Sequence, residues 1–70
     1  MSELLSELVG CRCCMRTEED EYLTGSAEIS CRVVATDDEW IRVSFTDAQG
    51  HRISRISRID ALTDVLIFEE

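Results

Sequence analysis

The sequence predicts an all-β domain, a small five-stranded antiparallel barrel with one short helix in front of it. Three observations carry that expectation. Apolar and polar residues alternate through residues 11–16, 29–36 and 41–46, the period-two signature of strands that bury one face. Between these segments stand turn formers, Asp37-Asp38 and Asp47-Ala48-Gln49-Gly50. The chain has 70 residues, 44% hydrophobic and 31% charged, which suits one small globular domain rather than a disordered segment. A chain this short buries only about 60% of its unfolded surface, so a large enclosed substrate cavity is not expected.

The elements follow in order, with the helix over about residues 2–9 and the barrel over about 10–69 of a single domain, 1–70. Ser2 is a good N-cap, and Glu3 places an anion in the first turn. Leu4, Leu5 and Leu8 make a narrow apolar stripe, and Gly10 ends the helix. In the first strand Cys11, Cys13 and Met15 share one face, with Arg12, Cys14 and Arg16 on the other. The acidic run Glu18-Glu19-Asp20-Glu21 and then Gly25 mark an exposed connection, in which Tyr22-Leu23 is a candidate for pairing. Ile29, Cys31, Val33 and Ala35 point inward in the next strand, and Ile41, Val43 and Phe45 in the third. The repeat Ile53-Ser54-Arg55-Ile56-Ser57-Arg58-Ile59 spaces isoleucine by three, which a bulge near Ser54 and Arg55 would reconcile with a strand. Asp60-Ala61-Leu62 reads as a 3₁₀ turn, and residues 65–68 as a closing strand in which Val65 and Ile67 face the core.

Charge and cysteine content narrow the function. Fifteen acids against seven arginines give −8, a field that repels phosphate backbones. The second half is less acidic and holds Arg52, Arg55 and Arg58 on one strand. No apolar run approaches the roughly 20 residues that span a bilayer, so no membrane association is expected. Residues 1–9 carry two glutamates and no basic stretch, unlike a secretory leader. Four cysteines then imply reduced thiols and a cytoplasmic location.

Leu8-Val9-Gly10-Cys11-Arg12-Cys13-Cys14-Met15 fits a Leu-x-Gly-x-x-Val-x-Val start after a helix. Asp37-Asp38-Glu39-Trp40-Ile41-Arg42-Val43 places an aspartate before a large apolar residue at the second hairpin, and residues 58–65 match a short loop and final strand. In this order and spacing the chain resembles the Sm-like superfamily, the small SH3-like barrels of Sm, LSm and bacterial Hfq proteins. The resemblance implies the barrel and rings joined edge to edge. Sm proteins also hold an RNA base with an asparagine, where Ile41 stands here, and with an Arg-Gly pair near the last loop, which this chain lacks.

The side chains that carry chemistry are few. Cys-x-Cys-Cys plus Cys31 has the thiols for a zinc site, but Cys11 and Cys13 point away from Cys14 on a strand, and no second knuckle exists. Cys13 and Cys31 instead suit core positions on adjacent strands. His51 has no serine or cysteine partner at a recognisable spacing, and there is no phosphate loop. The chain therefore reads as non-enzymatic, with no cofactor and no metal. Trp40, Arg52, Arg55 and Arg58 are the candidate nucleic-acid contacts. Leu66 and Phe68, opposite the core face of the last strand, and the stripe of Leu4, Leu5 and Leu8 are the candidate interface. These residues point to a binding or assembly module whose partner is itself or another protein. Two alternatives stand beside it: RNA binding through the Arg52–Arg58 strand, and an acidic, phage-type inhibitor that mimics nucleic acid.

Overall fold

The structure, a computed structural model, describes residues 3–69. A single helical turn, α1 (Glu3–Ser6), precedes β1 (Arg12–Thr17), β2 (Cys31–Thr36), β3 (Trp40–Thr46), β4 (Arg52–Arg58), a 3₁₀ turn (Ile59–Ala61) and β5 (Leu62–Ile67). The strands form one antiparallel sheet in the order β4-β3-β2-β1-β5. The protein is therefore all-β with one short helix, as the alternation implies. β4 and β5 end the order, and the sheet is not closed by pairing between them. The N-cap assigned to Ser2 lies outside the described residues.

Each local signal has a backbone counterpart. Gly10 takes φ +86°, a conformation that costs glycine little, and its N–H donates to the Val33 carbonyl at 2.8 Å. Asp37 closes the β2–β3 turn by accepting the N–H groups of Glu39 and Trp40 through Oδ1 at 2.9 and 2.7 Å. Asp47 does the same for Gln49 and His51, with Gly50 at φ +88° completing the turn. Tyr22 pairs with Arg16, and the N–H of Leu23 donates to the Met15 carbonyl, which carries Leu23 into the core.

The buried centre joins Cys13, Met15, Leu23, Cys31 and Val33 to Ile41, Val43 and Phe45, with Leu8 sealing the helix end. Six expectations need correction. The helix expected over about residues 2–9 is described only over Glu3–Ser6, because the chain turns at residues 7–8 and Val9 bridges to Val33. β4 has no bulge: its register runs unbroken from Trp40↔Arg58 to Thr46↔Arg52, so Ile53 and Ile56 lie on opposite faces. The irregularities fall instead at Arg16/Thr17 in β1 and between Val33 and Ala35 in β2, and the second leaves Ala35 exposed. Cys14 is buried although it faces away from the core, because residues 27–29 cross over it. Ile67 is on the core face but about half exposed, since the helix beside it is only one turn long. β5 also starts earlier than expected, at Leu62, and ends before Phe68.

Candidate functional site

The open chemistry of this protein lies along its two unpaired edges. On β4, Arg52, Ser54, Ile56 and Arg58 pair with Thr46, Ser44, Arg42 and Trp40, which places them on the outer face of the sheet. Ile53, Arg55 and Ser57 pair with Phe45, Val43 and Ile41 and lie on the core side. The three arginines thus do not share a surface. Arg55 folds over the core and donates from Nη1 to the Leu23 carbonyl at 2.7 Å. Arg58 lies over the Trp40 ring, 5.6 Å from its centre, with Nε 3.3 Å from Asp60 Oδ1. Arg52, six residues away and so about 20 Å along the strand, lines a cleft with Arg12 and Arg32 at the far end.

Of the candidate nucleic-acid contacts, the structure therefore brings Trp40 and Arg58 together and separates Arg52 and Arg55 from them. The Asp37 turn positions this pair. Backbone N–H donors from Glu39 and Trp40 hold the Asp37 carboxyl below its ordinary range, so the turn that leads into Trp40 carries negative charge.

The β5 edge has the opposite character. Asp64 and Leu66 stand on its outer face and Phe68 follows its end; Leu66 is 57% exposed and Phe68 44%. The Phe68 N–H donates to the Arg12 carbonyl at 3.0 Å, and the Arg12 guanidinium lies 5.3 Å from the centre of the Phe68 ring. On the other face, Leu4, Leu5, Leu8, Val65 and Ile67, with Glu7, line a largely apolar groove of about 360 Å³. The helix stripe thus meets the core side of β5 and does not cover Leu66 or Phe68. Leu4, 76% exposed, remains at the rim.

The edges are also complementary in charge. β4 carries Arg52, Arg55 and Arg58 and no acid, with Arg55 turned to the Leu23 carbonyl and Arg58 paired with Asp60 of the following turn, whereas β5 carries Asp64, followed by Glu69, and no base. β4 exposes its own apolar residues, chiefly Ile56 at 61%. Sequence reasoning missed Ile53 and Ile56 as edge residues, although the three-residue spacing already forces them to opposite faces of a regular strand.

The thiols diverge. Cys11 Sγ turns to the Glu7 carbonyl at 3.8 Å, Cys14 Sγ to the carbonyls of Ala27 and Ile29 at 3.6 and 3.7 Å, and Cys13 Sγ to Cys31. Among the described residues no three His, Cys, Asp or Glu side chains gather in a way that could hold a metal ion. His51 Nδ1 sits 3.6 Å from Asp47 Oδ2 within its own turn.

Fold and edges together define an all-β protein whose distinctive surface is a pair of unlike strand edges. Searches of protein-family models, curated proteins and solved structures find no match to the chain. No helix among the described residues is long and apolar enough to cross a membrane.

Proposed function

We propose that this chain is a non-enzymatic assembly module that self-associates head to tail, β4 of one copy adding to β5 of the next. The observation that carries this reading is the pair of open edges, one basic and one acidic, each with exposed apolar side chains. An unpaired edge is a template for another strand, and burying a side chain such as Leu66 or Phe68 contributes roughly 1.5–3 kcal/mol. Surface ion pairs add at most about 1 kcal/mol each, so the charges choose the partner edge rather than supply the affinity. A β4–β4 contact would set arginines against arginines, which disfavours it. Contacts between unlike edges are heterologous and close into a ring if the rotation permits. In this reading the sheet is an open Sm-like barrel, and the resemblance to that superfamily agrees with ring assembly.

Mass in solution tests the proposal. Native chain should form particles larger than a monomer by light scattering, while Ile56→Asp and Leu66→Asp each reduce them. Mixing those two variants leaves one intact junction, β4 of the Leu66→Asp chain with β5 of the Ile56→Asp chain, so the mixture should stop at dimers. A well-folded native monomer at high concentration would defeat the assembly reading. The juxtaposition of Trp40 and Arg58 favours a second reading, RNA contact at that end of the sheet. Submicromolar binding of a labelled RNA pool at physiological salt, lost in Arg58→Glu, would promote it.

A further inference from the structure

Cys13 and Cys31 are register partners across the β1–β2 seam, with their sulfurs 3.9 Å apart in the core. Facing residues of an antiparallel pair have Cα atoms about 4.5–5.5 Å apart, inside the roughly 4.4–6.8 Å that a disulfide spans. Side-chain rotation rather than backbone movement therefore closes the remaining gap. We propose that this pair is an oxidation site, which a hydroperoxide converts to an intramolecular disulfide that staples β1 to β2.

The seam is where such a staple has most effect. Among the described residues, the β1–β2 ladder consists of Arg12↔Arg32 and Cys13↔Cys31, against seven pairs between β3 and β4. One of those two positions sets arginine opposite arginine, an unfavourable like-charge pair. The guanidiniums part, Arg32 Nη1 donating to the Gly10 carbonyl at 2.7 Å and Arg12 lying over Phe68. Both thiols are almost fully buried, at 0% and 1% exposure, so oxidant enters when the seam opens. Beyond those two pairs the seam continues through the Gly10–Val33 and Val33–Cys11 backbone hydrogen bonds, and a ladder this short is a place where local opening costs little.

The chemistry balances with the hydroperoxide as the only added reactant. Either thiol can donate in the Cys13–Cys31 contact; with Cys13 as the donor it lowers the pKa of Cys31 and raises that of Cys13, while burial raises both. Cys31 Sγ, the first to lose its proton, attacks a peroxide oxygen; the O–O bond breaks, and the leaving hydroxide departs as water with that proton. Cys31 is then a sulfenic acid. Cys13 Sγ attacks the Cys31 sulfur, the S–O bond breaks, and the second hydroxide leaves as water with the Cys13 proton. Two thiols are oxidised to one disulfide, and one hydrogen peroxide is reduced to two waters.

Native chain, and Cys14→Ala to remove the ambiguity of adjacent cysteines, would be treated with hydrogen peroxide. Free thiols would then be alkylated and the digest mapped without reduction. The expected product is a Cys13–Cys31 link within one chain, a loss of about 2 Da reversed by dithiothreitol, with Cys11 still alkylated. Amides of the β1–β2 seam should exchange at least about tenfold more slowly in the oxidised chain. Alkylation of both Cys13 and Cys31 after peroxide, a link through Cys11 or Cys14 in the native chain, or unchanged seam exchange would each overturn the proposal.

Discussion

A thiol buried on the outward face of a strand needs a second layer over it, and Cys14 has one. Residues 27–29 bring two carbonyl oxygens to its sulfur, and burial raises its pKa. Alternation alone places Cys14 outside, because the covering chain belongs to a connection whose path has no periodic signal. Cys14→Leu should destabilise by about 1–3 kcal/mol through overpacking, where an open face would accept it. In the native chain the partly exposed Cys11 should react with a neutral alkylating agent before Cys14. Asp37 gives a pH prediction. Its pKa is lowered on folding, so its contribution is complete above the unfolded aspartate value and fades as pH falls through the lower folded value. Thermal melts should show native chain losing stability over that acid window, and Asp37→Asn should lose less there.

At the scale of elements, legibility follows burial. β3 is fully legible because Ile41, Val43 and Phe45 are all core residues and Arg42, Ser44 and Thr46 all face away from the core. Both aspartate turns are legible because the carboxylate makes its own local hydrogen bonds. β4 is misread because no core shapes it: an edge strand with both faces largely open shows no clean alternation. Arg55 illustrates the loss. In sequence it belongs with Arg52 and Arg58, yet the structure uses it to satisfy a backbone carbonyl. Arg55→Ala should therefore lower stability by about 1 kcal/mol, read by urea denaturation, and leave the behaviour of Arg58 unchanged. The exposed apolar residues of the two edges are half legible. Leu66 and Phe68 emerge as an uncovered face, but Ile53 and Ile56 on the other edge were absorbed into an expected bulge.

For the whole molecule, the decisive feature is that apolar side chains line both ends of the sheet order. A chain of this size gains little from its own core, so association and folding should be linked by mass action. The melting temperature of the native chain should rise with protein concentration, and Phe68→Asp should flatten that dependence. Added salt should weaken the assembly modestly, since it screens the charges that select unlike edges while leaving apolar burial intact. A melting temperature independent of concentration across a hundredfold range would assign the exposed edges some other role.

The place of β1 between β2 and β5 also sets a timetable. β2, β3 and β4 are consecutive in the chain and form a meander of neighbours, whereas β1 must wait for a strand some 50 residues downstream, Met15 meeting Val65. The meander needs nothing from β5, whereas the far side of β1 stays bare until β5 pairs with it. Pairings so distant in sequence form late and slowly, which makes the β1–β5 junction the last step of folding and leaves the nascent β1 as the segment a chaperone would find uncovered.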